Sequence, residues 1–479
     1  MFSQLLLLVA VATAARVPAI TPSVKALGGT LASEQPHRII STKDGGALMV
    51  GTTEQRPKEG ANPNDADFPR SDAWIVRLSA AGAVQWQRVI GGPHLDLFDD
   101  AVELPDGGFL VAGSTRIGAD PPGSPPSPVT DAWLVRFDAQ GRVLWQRAYG
   151  DRSNPTADMD MSETANRIVP LRDGTFVVMG TATLCDVGKP ERVCSRLPVW
   201  LMKITDQGVP VWQRLHSWDA SAGGFQATPD GGFVVTGYTL LHPEAPKTFT
   251  KGALLKLDKD GRAQWERTYG GSKGNDGLFD IIPAAKGGWL AFGVNGSDAR
   301  KGDSDAWAIR LGKDWGVQWQ SVYGGAAVDE VRAAVSASDG SFWLAGDARP
   351  TDPMNANAWL LHLGASGAII GQRAYGGAQY DSFQSVALDP GGKSMWVAGQ
   401  SGSYTDPFAA LVVHADSTGA VPGSPTMSVG TARGHASHAQ AVTVPKAKIK
   451  SVDTNYSPIE TKWPVRDGLA VEKELTKPR

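Results

Sequence analysis

The stretch from Asp131 to Gly150 reads DAWLVRFDAQGRVLWQRAYG, and close versions of it occupy residues 72–91 and 305–324. Two short runs rich in β-forming residues flank a turn that contains Gly141. Glycine in that turn suits the positive φ of a tight hairpin. The stretch therefore predicts two antiparallel strands, which we call c and d.

A second hairpin precedes the first in each copy. In the same unit, residues 98–104 and 109–113 are β-rich and are joined by Asp106-Gly107-Gly108. We call these strands a and b. One unit then forms a small four-stranded antiparallel sheet that is apolar on both faces and must stack against neighbouring sheets.

Strand b ends in a glycine that recurs seven times. The copies are spaced 53 to 67 residues apart, which is too long for a leucine-rich repeat and suits a propeller blade. The seven closing glycines are Gly51, Gly113, Gly180, Gly237, Gly293, Gly346 and Gly399. The sequence therefore predicts an all-β fold, a seven-bladed β-propeller of four-stranded antiparallel blades.

The ring is expected to close through the N-terminal segment. The seventh unit lacks a strand d, because Pro422 and Pro425 follow its strand c and proline cannot continue a ladder. A segment that resembles strand d occurs instead at residues 23–29, ending in Gly-Gly. We expect this N-terminal strand to complete the last blade beside the strand that precedes Ala415.

Alternating strand direction gives the two faces of the ring different characters. The short a–b and c–d turns lie on one face, here the tight-turn face. The long insertions, such as residues 54–71 and 116–130, are b–c and d–a connections and lie on the other, the loop-rich face. Binding is expected on the loop-rich face near the axial channel.

The run from Asp138 to Trp145 resembles the strand c to d motif of bacterial secreted β-propeller repeats of the PQQ-like, tryptophan-docking type. In that group a glycine and a tryptophan four residues apart dock neighbouring blades, and Gly141/Trp145 and Gly82/Trp86 match this spacing. Trp315 stands in the glycine position of the fifth unit. The resemblance covers residues 24 to 421 and implies architecture but little about activity, because quinoprotein dehydrogenases of that broad group have eight blades, and their calcium ligands and catalytic acid match no identifiable positions of this sequence.

The recurring tryptophans and cations of strands c and d follow the blade repeat, so they are predicted to pack. Trp133 and Trp145 represent the aromatic positions, and Arg136 and Arg147 represent the cations that follow them. We expect the cations to stack on aromatic planes between blades.

Composition indicates a soluble protein, and the first residues of the sequence indicate export. The 479 residues carry a formal net charge of −3, without the basic footprint of nucleic-acid binding, and contain no run of about 18 apolar residues that could span a membrane. Residues 1–15 combine an apolar run with Ala12-Thr13-Ala14, as in a signal peptide. This predicts a periplasmic or secreted monomer with a propeller over residues 16–422 and an extended or partly disordered tail over 423–479, in which Ala441–Val444 can add a strand to a blade edge.

The two cysteines, Cys185 and Cys194, lack the spacing of a zinc site. In an exported chain they are expected to form a disulfide that closes one loop of the third blade. Two free structural thiols are the alternative.

Two groups of acidic residues are candidate sites. One follows the Gly-Gly of strand d and consists of Asp96, Asp276, Asp329 and Asp381, which form an acidic binding ring at the channel mouth or, alternatively, accept backbone N–H bonds within their loops. The other is Asp158, Asp160 and Glu163, whose spacing is compatible with Ca²⁺ but lacks the EF-hand pattern. No other cofactor is expected.

The sequence contains no G-x-S-x-G, no H-E-x-x-H and no phosphate-binding P-loop, so an enzyme is the less favoured class. Tyr238, His242 and His94 are candidates for a general acid–base set in the loops. The favoured function is a binding or scaffold module for a protein or glycan partner. The alternatives are a carbohydrate-active lyase or hydrolase with its site at the channel mouth, and a quinoprotein-like oxidoreductase.

Overall fold

The structure is a computed structural model in which the propeller is described from residue 22 to residue 421 with gaps. The described ranges are 22–28, 32–55, 71–92, 95–116, 130–150, 159–186, 193–216, 218, 220–240, 249–271, 274–296, 304–325, 327–349, 356–403, 408–421, 433–436, 440–443, 451–453, 459–460, 465–467 and 471–474. Across these ranges the chain forms strands and turns, and no helix suited to crossing a membrane occurs there.

Seven antiparallel sheets form the blades, each with strands in the order a, b, c, d. Blade 1 comprises Ala32–Ser41, Ala47–Gln55, Ser71–Leu78 and Val84–Ile90. Blade 2 comprises Asp96–Glu103, Phe109–Thr115, Asp131–Phe137 and Val143–Tyr149. Blade 3 comprises Met159–Glu163 with Arg167–Pro170, then Phe176–Asp186, Val193–Ile204 and Pro210–His216. Blade 4 comprises Ala220–Ala227, Phe233–Leu240, Thr250–Leu257 and Ala263–Gly270.

The remaining blades follow the same order. Blade 5 comprises Asp276–Pro283, Trp289–Asn295, Asp305–Leu311 and Val317–Gly324. Blade 6 comprises Glu330–Ser336, Phe342–Ala348, Asn357–Leu363 and Ile369–Tyr375. Blade 7 comprises Asp381–Leu388, Ser394–Ser401 and Ala409–Asp416, with the N-terminal strand Ser23–Gly28 as its strand d. The predicted seven-bladed fold is confirmed.

The N-terminal strand closes the ring as predicted. It pairs antiparallel with strand c of blade 7, with Val24 opposite Val413 and Leu27 opposite Ala410. Strand a of blade 7 lies against strand a of blade 1, where the backbone N–H of Ile39 donates to Ser385 Oγ at 3.1 Å. The first and last blades are therefore joined by both the closing strand and side-chain contacts.

Neighbouring blades dock through the tryptophan of strand d. Trp86 of blade 1 packs on the c–d turn of blade 2, where a Cβ added at Gly141 would lie 2.8 Å from the indole ring. Its Nε1 donates to the carbonyl of Ala139 at 3.1 Å, and Arg88 stacks over the ring at 5.6 Å. The predicted stacking of the strand d cations is confirmed at four blades.

The strand c cations behave differently from the prediction. Arg77 and Arg136 are buried, and each forms an ion pair with the aspartate of its own a–b turn, Asp44 or Asp106. A carboxylate neutralises these guanidinium groups because the a–b turn folds back over the end of strand c. Their interpretation as stacking residues was therefore wrong.

The segment after blade 7 adds a fifth, outermost strand to six blades, which we call the belt. It runs against the blade order, from blade 5 to blade 1 and then to blade 7. Its strands are Arg433–Ala436, Gln440–Thr443, Ser451–Asp453, Ile459–Glu460, Val465–Asp467 and Val471–Glu474. The strand predicted near Ala441 pairs with strand d of blade 4. The belt covers sheet edges that would otherwise present unpaired backbone groups.

Cys185 and Cys194 lie on the long hairpin of strands b and c in blade 3. They are register partners across that hairpin, so the backbone brings the two positions together. Their side chains lie outside the described residues, and the disulfide stays a prediction.

Candidate functional site

The closing glycines shape the inner wall of every blade. A Cβ added at Gly113 would overlap the carbonyl oxygen of Leu97 on strand a, and five of the other six closing glycines meet a strand a carbonyl in the same way. The sixth, Gly180, meets the carbonyl of Thr164, between the two strand a segments of blade 3. Opposite Gly113 the register of strand a shifts between Phe98 and Asp100, so Asp99 is an extra residue in a β-bulge. The bulge re-aims side chains of strand a, the innermost strand, toward the axis.

Four blades contribute charged side chains to the axial channel, at the strand a bulges of blades 1, 2 and 5 and after the break in strand a of blade 3. His37 Nδ1 lies 3.0 Å from Asp99 Oδ1, which links blades 1 and 2. Arg167 of blade 3 pairs with Asp280 of blade 5 at 3.8 Å, and because these blades are not neighbours the pair crosses the channel. Arg38 pairs with Asp100 at 3.3 Å. We call these six residues, together with Asn166, the channel cluster.

The channel cluster is close to charge balance and is well bonded. Asp99 also accepts from Asn166 Nδ2 at 3.0 Å, and Asp100 accepts from the backbone of Ile168 at 3.1 Å. Burial alone would lower the pKa of His37, but the hydrogen bond and the attraction from Asp99 raise it above its ordinary value. Burial raises the pKa of Asp280 although Arg167 opposes it. The hydrogen bonds and ion pairs of the channel cluster connect blades 1, 2, 3 and 5.

A second charged group lies in blade 6, toward the loop-rich face. Arg332 contacts Glu330 at 2.5 Å and Asp347 at 3.3 Å, and Arg349 contacts the second oxygen of Asp347 at 3.4 Å. Burial raises the pKa of Asp347, against the attraction of the two arginines. These charges compensate one another in the same manner as the channel cluster.

The four aspartates predicted as a binding ring are buried within their loops. Asp96, Asp276, Asp329 and Asp381 are at most 3% exposed. Each accepts a hydrogen bond from the backbone N–H of a glycine after strand d, at 2.6 to 2.9 Å. This geometry corresponds to the alternative in which the aspartates accept backbone N–H bonds within their own loops.

Glycine is required where strand d ends because carboxylates pack there. A Cβ added at Gly91 would collide with the carboxylates of both Asp72 and Asp96. Burial raises the pKa of Asp96 to about 7, with Thr115 and Gly92 opposing through hydrogen bonds and Asp72 adding repulsion. Burial likewise raises the pKa of Asp329 to about 6.

These carboxyl groups predict a pH-dependent stability. Since the folded pKa of Asp96 lies above its unfolded value, the folded protein binds more protons between about pH 4 and pH 7, and stability falls as pH rises through that window. We expect Asp96→Asn to reduce the loss of unfolding free energy between about pH 4 and pH 7 by about 2–4 kcal/mol. Urea unfolding of both proteins at several pH values measures this difference. His216, whose pKa burial lowers to about 4, titrates in the opposite sense in both proteins. If the free energy of unfolding changed with pH in the same way in both proteins, the raised pKa of Asp96 would be contradicted.

The predicted catalytic and calcium candidates are not brought together by the described residues. Tyr238 is 36% exposed near the end of strand b of blade 4, whereas His94 and His242 lie outside the described residues. Glu163 is buried beside Gly150. Asp158 and the side chain of Asp160 are outside the described part, within which no metal-binding group of three or more His, Cys, Asp or Glu side chains occurs.

A cavity of about 1160 Å³ opens on the tight-turn face, between the a–b and c–d turns of blades 3, 4 and 5. Its aromatic lining residues are Trp212, Trp289 and Trp315. Its cationic lining residues are Arg172, Lys203, Lys256, Lys259 and Lys313. Its acidic lining residues are Asp173, Asp230 and Asp260. A concave site with aromatic walls and a few charged groups is the usual form of a ligand pocket.

This cavity was not predicted from the sequence, because the long insertions indicated binding on the loop-rich face. Most insertions of that face lie outside the described residues, so binding there stays a prediction. Two departures from the repeat, Lys286 in place of the turn aspartate and Trp315 in place of the turn glycine, are the signals in the sequence that mark the cavity region.

Neither a protein-family model nor a curated protein matches the sequence. Among solved structures, the chain is similar to a puromycin hydrolase, at 14% identity and a TM-score of 0.48, over 86% of this chain and 57% of that one. It is also similar to an exotype rhamnogalacturonan lyase, at 15% identity and a TM-score of 0.36, over 83% and 74% of the two chains. A protein of unknown function from Dyadobacter fermentans matches at 12% identity and a TM-score of 0.42, over 82% and 98%. At these values no functional argument rests on the similarities, and the PQQ-like repeat type stays a prediction.

Proposed function

We propose that this chain is an exported binding protein, a rigid propeller that holds a glycan or protein partner in the cavity of blades 3 to 5. The cavity itself carries the proposal, because it combines three tryptophans with a surplus of cationic side chains in one concave surface. Export is supported by the apolar N-terminal segment and its Ala12-Thr13-Ala14 sequence.

The chemistry of the cavity walls supports binding over catalysis. The described lining residues include no histidine, cysteine, serine or tyrosine. Hydrogen bonds from Thr175 and Lys203 hold the pKa of Asp173 at about 2, so this carboxylate is ionised and unsuited to donate a proton. Asp230 forms an ion pair with Lys256 at 2.9 Å, and Asp260 forms one with Lys259 at 3.0 Å.

The test is a glycan array and a partner pull-down carried out with two matched variants. Pro229 is exposed in the a–b turn of blade 4 and lines the cavity, while Pro105 is exposed at the same turn position of blade 2 and does not. We expect Pro229→Trp to lose the ligands that wild type retains, because the indole fills the cavity, and Pro105→Trp to keep them.

Two results would overturn the proposal. One is retention of every ligand by Pro229→Trp, which would place binding elsewhere. The other is cleavage of a saccharide by wild type, detected by mass spectrometry, together with no cleavage by Pro229→Trp. That result would make the cavity an active site.

A further inference from the structure

Blades 1 to 4 share an ion pair on the tight-turn face that blade 5 lacks. In those blades an aspartate of the a–b turn lies 2.5 to 2.9 Å from a cation near the end of strand c. The pairs are Asp44–Arg77, Asp106–Arg136, Asp173–Lys203 and Asp230–Lys256. In blade 5 the turn position of the aspartate is taken by Lys286.

Arg310, the strand c cation of blade 5, therefore has no neutralising carboxylate within the described part of the chain. It is 8% exposed, and its guanidinium donates to the carbonyls of Trp289 at 3.1 Å and Gly287 at 2.5 Å. Both of these residues line the cavity. Burial without an acidic partner lowers the pKa of Arg310. An uncompensated positive charge thus lies directly behind the cavity wall.

Trp315 is the second departure from the repeat in blade 5. Its φ is 66°, and among the described residues it is the one non-glycine with positive φ. The equivalent c–d turn positions of the other blades are glycines, namely Gly82, Gly141, Gly208, Gly261, Gly367 and Gly419. A bulky residue in this conformation is unfavourable unless its surroundings hold it there, and such strain concentrates at functional sites.

The surroundings of Trp315 present its indole to the cavity. The ring stacks on Trp289 at 5.2 Å with an interplanar angle of 10°, and its edge meets Trp265 at 5.3 Å and 73°. Arg267 donates to the Trp315 carbonyl at 2.7 Å. Trp315 is half-buried and lines the cavity, so part of the ring remains accessible.

The charges that line the cavity leave positive groups free. Its three carboxylates are already paired with Lys203, Lys256 and Lys259. Arg172 and Lys313 have no ion pair within the described ranges. Together with Arg310 they give the cavity a positive potential that favours anionic ligands.

We propose that the cavity binds an acidic oligosaccharide, with a sugar ring on the indole of Trp315 and its carboxylate or sulfate facing Lys313 and the charge of Arg310. This rests on the proposed function and names its ligand class. The cavity, at about 1160 Å³, is slightly larger than typical small-molecule pockets of about 300–1000 Å³, so it has room for an oligomer. Its walls are turns that offer no sheet edge to an extended peptide, whereas flat indole faces suit the CH-rich faces of sugar rings.

The test measures binding of tetragalacturonic acid, its fully methyl-esterified form and a tetraglutamate peptide by isothermal titration calorimetry. We expect the acid to bind about tenfold or more tightly than its ester, because esterification removes the charge-assisted contacts. We also expect affinity for the acid to fall as salt rises. The peptide carries the same number of side-chain carboxylates without a ring to stack, so its binding should be weaker.

Two variants separate the residues from the fold. Trp315→Gly restores the glycine of the other turns; relief of the positive-φ strain offsets the lost ring contacts with Trp289 and Trp265, so we expect a folded protein with little change in thermal stability together with about tenfold weaker binding of the acid. Lys286→Asp restores the ion pair to Arg310 and should weaken binding similarly. Lys393→Asp, at an exposed turn position of blade 7, makes the same change of charge on the same face and should leave binding unaltered.

The outcomes distinguish this inference from the proposed function. Equal binding of acid and ester, lost in Pro229→Trp, would leave the cavity a binding site and overturn its acidic specificity. Tighter binding of tetraglutamate than of the saccharide would assign an acidic peptide instead. Wild-type affinity in both Trp315→Gly and Lys286→Asp would overturn the roles given to blade 5. If Pro229→Trp weakened the binding of none of the ligands tested, both proposals would be overturned.

Discussion

Removal of Ser23–Gly28 is expected to open the ring and to lower the free energy of unfolding by at least about 3–6 kcal/mol. Val24 and Leu27 are at most 3% exposed, and full burial of such a side chain contributes about 1.5–3 kcal/mol each. Typical domains unfold at a cost of only about 5–15 kcal/mol. The measurement is urea unfolding of the deleted and full-length proteins, monitored by circular dichroism.

The closing strand has this large effect because its two faces serve different interfaces. Val24 and Ala26 belong to the apolar cluster between blades 6 and 7, whereas Leu27 belongs to the cluster between blades 7 and 1. Lys25 Nζ also donates to the carbonyl of Gly82 in blade 1 at 3.1 Å. A peptide of residues 22–28 added to the deleted protein should restore part of the lost stability. An unchanged urea midpoint after the deletion would show that the ring closes without this strand.

The architecture could be predicted because the repeat encodes it at each level. The closing glycine recurs in all seven units, Asp-Gly-Gly turns occur in three of them, and tryptophans at the positions of Trp133 and Trp145 recur in five units each, so one interpretation applies to the whole ring. The closing strand was predictable for the same reason, since it is a displaced copy of strand d. Repetition averages out the ambiguity of any one short strand.

The belt could be predicted only in part, because its strands are two to four residues long. Segments such as Ile459–Glu460 and Ser451–Asp453 carry no periodicity that distinguishes a strand from a loop. They pair with edges that the propeller has already formed, so the information that places them lies in the tertiary structure. The one segment with visible alternation, near Ala441, is the one that the sequence identified.

The candidate site was harder to predict for a different reason. The channel cluster depends on β-bulges that rotate Asp99 and its counterparts toward the axis, and a bulge shifts the alternation that sequence patterns rely on. The cavity depends on the proximity of turns from three blades. Lys286 and Trp315 are visible in the sequence as irregularities of the fifth unit, but only the geometry shows that they lie beside one cavity.

Gly113→Ala is expected to destabilise the protein by about 3 kcal/mol or more, although it adds a single methyl group. The Cβ would overlap the Leu97 carbonyl, and strand a cannot retreat because its bulge is fixed by the ladder on either side. The displaced strand also carries Asp99 and Asp100 of the channel cluster, so the contacts of His37 and Arg38 with them would be lost as well.

Gly371→Ala is the matched control for Gly113→Ala. Gly371 also lies within a strand, in blade 6, but a Cβ there would meet its nearest neighbour, the Cβ of His362, at an ordinary 3.7 Å. Because alanine loses less backbone entropy on folding than glycine, this variant should be neutral or about 0.5–1 kcal/mol more stable than wild type. Urea midpoints of the two variants, measured side by side, decide the matter. Similar small effects at both positions would show that the closing glycines are not required by the close approach of strand a, and that the bulge, and with it the channel cluster, tolerates a side chain at this position.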